Sequence, residues 1–255
     1  MKLGLLPHRP AQLLAAPRLS AYLQASPQAP VRLDRSTIAY RPQMWANDML
    51  GDCTAAALAN TALAIGALEQ FVPVVSQEAV LALYSATSGY VPGRPETDRG
   101  AVFADVLQYQ CGAGWNTGRE VFSGPWATLE AQDLGFMRFA LVLFGAVQLG
   151  VALSISDQNM AVWDTEAPAA AGDPTPGSWG LHALVLWDYT GTAPDDVVHL
   201  ATWGRLQPAT WRWVARRTDE AHIILWRSLL SSTGYAWNGL DYEGLRAAAA
   251  RMDSA

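Results

Sequence analysis

The chain has 255 residues, 51% hydrophobic and only 16% charged, enough apolar material for one large core or for two lobes that share an interface. Its net charge of −6, with seventeen scattered basic residues, leaves no electrostatic footprint for nucleic acid and disfavours a polynucleotide partner. Two cysteines, Cys53 and Cys111, make no disulfide scaffold, and both are expected to be reduced.

The segment from Met1 breaks at Pro7 before an apolar signal core accumulates, which argues against a secretory leader and for a cytoplasmic protein. Residues 1–46 are proline-rich and lack periodicity, so an extended arm laid over the surface is expected there. That segment is too short and too rich in proline for a helical inhibitory domain, so any control is expected to come from elsewhere. From Cys53 to about Phe71 the residues are apolar nearly all round, which predicts a central, covered helix. Ser76 reads as an N-cap, with Glu78 in the first turn and Val80, Leu83 and Tyr84 on an apolar face.

Residues 89–100 predict a loop, followed by a helix from about Ala101 to Gln110 that stops at Gly112 and Gly114. A further helix is expected around 129–143, then strands over 147–155, 182–189, 197–203, 211–214 and 221–226, with a small-residue and proline loop over 165–178. The longest apolar stretch, Phe139 to Ile155, is broken by Gly145, Gln148 and Gly150 and falls short of a membrane span. Residues 231–255 read as a tail with a short amphipathic helix from Asp241 to Met252. The plan is therefore an arm over 1–46, a main domain over 47–230 with a helical lobe (about 47–125) and a β lobe (about 126–230), and the tail.

Cys53 opens the central helix, where backbone N–H groups and the macrodipole favour a thiolate. His182 opens a strand in the β half, and an imidazole facing that thiol across a cleft could deprotonate it and later protonate a leaving group. Asn47, six residues earlier than Cys53, can turn its amide back as an oxyanion donor, and Gly51 lets the loop approach closely. Judged singly, each has a plainer reading: Cys53 as a buried small hydrophobe, His182 as a satisfied core histidine, Asn47 as a turn residue. Asp52 should raise the thiol pKa unless its carboxylate turns away to cap the helix. No paired Cys or His spacing suits a metal, so no metal and no cofactor are expected.

These residues resemble the papain-like cysteine peptidases. Asn47, Gly51 and Cys53 stand where that family has a Gln, a Gly and the nucleophile; HALVLWDY from His182 resembles its histidine strand, and ATWG from Ala201 its NSWG strand end. APVRLDRS, RGAVFADVLQYQCGAGW and DEAHIIL resemble the entry strand, the cleft loop with its helix, and the closing strand. The phrases NDMLGDCT, GSWGLHAL and TWGRLQPATW look nearest to an uncharacterised branch found in bacteriophages and bacteria. The resemblance implies an α+β fold, papain-like and two-lobed, with Cys53 as nucleophile, His182 as base and Asn47 as oxyanion donor. It also implies a cleft bordered by Gly51, Gly100, Ala101, Trp179 and Trp203, with Trp203 shielding the imidazole. Ala201 occupies the place of the family's histidine-orienting Asn, which leaves Thr202, Asp188, Asp219 and Glu220 as candidates for that role. Peptide or amide substrates cleaved through an acyl-enzyme are the leading expectation. The rivals are a catalytically weak binding protein of a phage particle or related assembly, and acyl chemistry other than proteolysis.

Overall fold

The structure is a computed structural model that describes residues 1–23, 28–166 and 171–226, with 243, 244, 246 and 247 of the tail. The expected helix over 241–252 therefore lies mostly outside the described residues, as does most of the tail. In chain order the elements are β1 (Leu5–Leu6), α1 (Pro10–Ala15), α2 (Cys53–Leu68), α3 (Gln77–Ser88), β2 (Ala101–Val102), α4 (Phe103–Gly112), β3 (Trp115–Asn116), β4 (Val121–Phe122), β5 (Trp126–Leu129), α5 (Leu134–Phe144), β6 (Val147–Leu153), β7 (Gly180–Tyr189), β8 (Val197–Thr202), β9 (Arg205–Thr210), α6 (Trp211–Arg217) and β10 (Thr218–Ile224).

Helix α2 is buried on every side along most of its length, as an all-round apolar sequence requires. Its alanines bring it close against α3, α4 and the face of β7 that carries Ala183, Val185 and Trp187. Helix α3 is capped as expected, the Ser76 hydroxyl accepting from the Ala79 N–H at 3.2 Å and Gly89 closing it in the left-handed conformation. The second half is a six-stranded antiparallel sheet in the order β5-β10-β6-β7-β8-β9. Its far face packs Leu184, Leu186, Leu200, Val198 and the α5 side chains into a second core. Arg35, buried from the arm side, ties the arm to the β lobe by donating to the carbonyls of Gly145 and Trp187 at 2.6 and 2.7 Å. Among the described residues no helix is long and apolar enough to cross a membrane.

Three expectations differ from the structure. Residues 211–214 form helix, not strand: the Thr210 hydroxyl caps it by accepting from the Trp213 N–H, and alternating tryptophans on a short helix mimic a period of two. Residues 126–129 are a strand, with α5 starting only at Leu134 under an Asp133 cap. The unpredicted β9 contains Pro208, which a sheet tolerates because β9 is its edge. The arm also departs from a surface covering. It contains the short helix α1, and β1 pairs in parallel with β2 inside the groove between the lobes.

Candidate active site

Cys53 is the first residue of α2 and is fully buried. Backbone N–H groups of Ala183 on β7, Gly4 on the arm and Thr54 in its own helix lie near its thiol, which accepts no hydrogen bond among the described residues. The thiol lies beside the residue that follows His182, and among the described residues no hydrogen bond joins it to the His182 ring. Burial nevertheless dominates and pushes the thiol up to about 12, with the Asp52 charge adding to the rise and the three N–H groups opposing it. Asp52 does not cap the helix, and neither of its buried carboxylate oxygens has a hydrogen-bond partner. Burial raises that carboxyl to about 8, with the Asn47 amide the foremost of the groups opposing the rise.

His182 is fully buried on β7 with its Nε2 2.7 Å from the Thr202 hydroxyl. Its Nδ1 has no hydrogen-bond partner among the described residues. The ring stacks on Trp203 with centroids 4.2 Å apart and planes 18° apart, and Trp179 leans on the far side of Trp203 at 5.5 Å. Burial depresses the imidazole to about 3, so both it and the thiol are neutral at pH 7 in this closed arrangement.

Strand alternation explains why residue 202 reaches the ring. Ala183, Val185 and Ala201 share the face turned to α2, while Leu184, Leu186 and Leu200 share the opposite one, and His182 and Thr202 have the parity of that second set. Trp203 and Gly204 form a two-residue hairpin between β8 and β9, both at positive φ (45° and 71°), the conformation that right-twisted strands favour in such a turn. The turn swings the Trp203 ring over His182.

The other candidate orienting residues are engaged elsewhere. The Asp188 carboxylate bonds His199 at 2.5 Å, and Glu220 bonds His222 at 3.0 Å. Asp219 lies beside Glu220 and His8. Asn47 is buried after two positive-φ residues, Trp45 and Ala46, and its amide points to the Leu50 carbonyl at 3.1 Å and the Lys2 carbonyl at 3.5 Å. Cys111 is half-buried.

Sequence reasoning missed what fills the groove. The Lys2 N–H donates to the Asn47 carbonyl at 3.1 Å and the Gly4 carbonyl accepts from Ala101 at 2.9 Å, so residues 2–6 form a strap across the mouth of the Cys53 site. The strap fits by close backbone contact. A Cβ on Gly4 would lie 2.0 Å from the Gly51 carbonyl oxygen, one on Gly100 2.1 Å from the Gly4 oxygen, and one on Gly180 2.8 Å from Leu3. Asp98 forms the floor below Lys2. Its side chain is 1% exposed and accepts from the Tyr84 hydroxyl at 2.5 Å, from the Gly51 N–H at 3.1 Å and from the Lys2 ammonium. No pattern in the sequence links Lys2 to Asp98, because a two-residue strand carries no periodicity.

A helical lobe packed on an antiparallel β lobe is shared with solved proteins of low sequence identity. The fold is that of the papain-like cysteine proteases. Xylellain, a cysteine protease from Xylella fastidiosa, matches with a TM-score of 0.62 at 15% identity over 87% of this chain and 95% of its own. The digestive procathepsin L 3 of the Tenebrio molitor larval midgut matches at 0.53 and 11%, over 83% of this chain and 76% of its own. Procathepsin B S9 from Trypanosoma congolense matches at 0.52 and 11%, over 89% and 83%. No family model and no curated protein matches the sequence.

Proposed function

We propose that the chain is a papain-like cysteine hydrolase cleaving peptide or amide bonds through a Cys53–His182 pair and a covalent acyl-enzyme. The observation that carries the reading is the seam itself: a thiol at the start of α2 beside the residue that follows His182, and an imidazole held through Nε2 by Thr202 with Nδ1 left unpartnered among the described residues. In this reading Nδ1 takes the thiol proton, the Cys53 sulfur attacks the carbonyl carbon, and the Cys53 N–H and Asn47 amide receive the oxyanion. The imidazolium then protonates the leaving amine, and water releases the acyl group as the thiol reforms. Thr202 acts as the positioning residue in place of the family's Asn, and Trp203 keeps water off the ring. The pair becomes reactive only after the strap withdraws and water and substrate restore ordinary ionisation to both groups.

The test is thiol alkylation together with peptide turnover. Once the strap is displaced, iodoacetamide should label Cys53 far faster than Cys111 at neutral pH, and Cys53→Ala should abolish hydrolysis across a peptide panel. Hydrolysis that survives Cys53→Ala, or equal labelling of the two cysteines, would end the proposal. The binding-protein reading draws on one specific observation, that the groove is filled and both groups are neutral. Retention of a co-purifying assembly partner by Cys53→Ala, with no turnover from the strap-displaced protein, would favour it. The phage setting rests on the sequence resemblance alone.

A further inference from the structure

We infer that Asp98 is a specificity-determining residue: the groove beside Cys53 accepts a peptide carrying a lysine or arginine side chain at the place Lys2 now fills. The inference deepens the proposed function and rests on it for turnover, but not for binding.

The strap acts as a built-in sample of what the groove holds. Its backbone is bound as an added strand, with β1 in register on β2 and the Gly4 carbonyl on the Ala101 N–H, a mode that recognises main chain whatever the sequence and leaves side chains to select. Among the strap's side chains only Lys2 reaches a buried charge. The Asp98 carboxylate is nearly inaccessible, and although burial raises its pKa, the hydrogen bonds from Lys2, Tyr84 and Gly51 together hold it below the ordinary range, so it is ionised.

Two of those three donors, the Tyr84 hydroxyl and the Gly51 N–H, are neutral and belong to the groove walls. Among the described residues, the only cation paired with Asp98 arrives on the strap. Asp48 adds negative potential to the same corner, since both it and Asp98 lie close enough for Asp52 to feel them electrostatically. When the strap leaves, this corner is a charged floor without its cation, within one loop of the nucleophile. An incoming ammonium or guanidinium restores the balance, whereas a neutral side chain leaves the carboxylate with only its two wall donors and an acidic one adds repulsion. Lys2 itself is partly exposed, which screens its end of the pair; the selectivity comes from the buried carboxylate.

The intact chain tests this through the strap. In a series with Lys2→Arg, Lys2→Met and Lys2→Glu, the rate at which iodoacetamide reaches Cys53 measures how often the strap is out. Lys2→Arg should match the parent, Lys2→Met should be roughly tenfold faster and Lys2→Glu faster still. A second measurement uses the full chain carrying Gly4→Val and Cys53→Ala, in which the strap cannot seat and no turnover occurs. The fluorescein-labelled hexapeptide MKLGLL should bind at least about tenfold tighter than its norleucine and glutamate counterparts. Raising the salt, or Asp98→Asn, should shrink that advantage to within about twofold while leaving the norleucine peptide unchanged. Equal alkylation rates across the Lys2 series, or equal affinities of the lysine and norleucine peptides, would overturn the inference. Neither readout depends on hydrolysis, so a failure here is separable from a failure of the Cys53–His182 chemistry.

Discussion

On the helical side of the groove Cys53 is placed by main chain and by absent side chains: the N-terminus of α2, the N–H groups of Ala183 and Gly4, and the bare contacts among Gly4, Gly51 and Gly100. On the β side His182 is placed by side chains, the Thr202 hydroxyl on Nε2 and the Trp203 ring against its face. The first arrangement tolerates no added atom, because backbone cannot rotate away. The second tolerates small changes of shape but not the loss of a polar partner in a buried place. The two walls should therefore fail in different ways under mutation.

The largest effect is expected from His182→Ala, which removes the proposed base outright. Peptide turnover by strap-displaced protein should fall by about a thousandfold or more, and an unchanged kcat would remove His182 from the chemistry. Next is Gly4→Val on the other wall. Its methyl groups meet the Gly51 backbone, so the strap should be expelled, with Cys53 alkylation rising by about ten- to a hundredfold and little change in thermal stability. Slow labelling in that variant would mean that something other than the strap closes the site.

Thr202→Val keeps the shape and deletes the hydroxyl. The lost buried hydrogen bond is worth about 1–3 kcal/mol, so kcat should drop roughly ten- to a hundredfold with KM little changed, and Thr202→Ser should recover most of it. An equal loss in Thr202→Ser would point to packing rather than to orientation of the ring.

The smallest effect concerns Asp52 and pH. Its carboxyl is raised to about 8 in the folded chain from an ordinary value of 3.8, so the native state keeps a proton that the unfolded state has released between those limits. Stability from this group is therefore greatest below about pH 4 and declines as pH rises towards 8. Asp52→Asn removes that decline and should gain about 1–3 kcal/mol over the parent near pH 8, with little difference at pH 4. Denaturant melts of the two proteins at both pH values give the answer, and parallel curves would show that Asp52 is not held protonated.

Much of the helical lobe was legible because its signals are local. Ser76 and Gly89 bracket α3, and the all-round apolar run from Cys53 announces a covered helix. The break at Gly145 between α5 and β6 was readable for the same reason. The β lobe was less so where chain-local cues conflict: Trp211 and Trp213 alternate like a strand yet sit on a capped helix, and Pro208 hid an edge strand.

By itself, then, the order of residues determined a thiol at a helix start, a histidine at a strand start, and the helical and β character of the halves that carry them. It left Thr202 as one of four candidates, because only the pairing of β7 with β8 shows which side chains share a face with His182. It also could not foresee that Lys2 lies on Asp98, ninety-six residues away, or that Gly4 touches Gly51. Helix propensity, capping and apolar periodicity act over a few neighbouring residues. A buried carboxylate and the ammonium that covers it are brought together only when the whole chain has closed around its core.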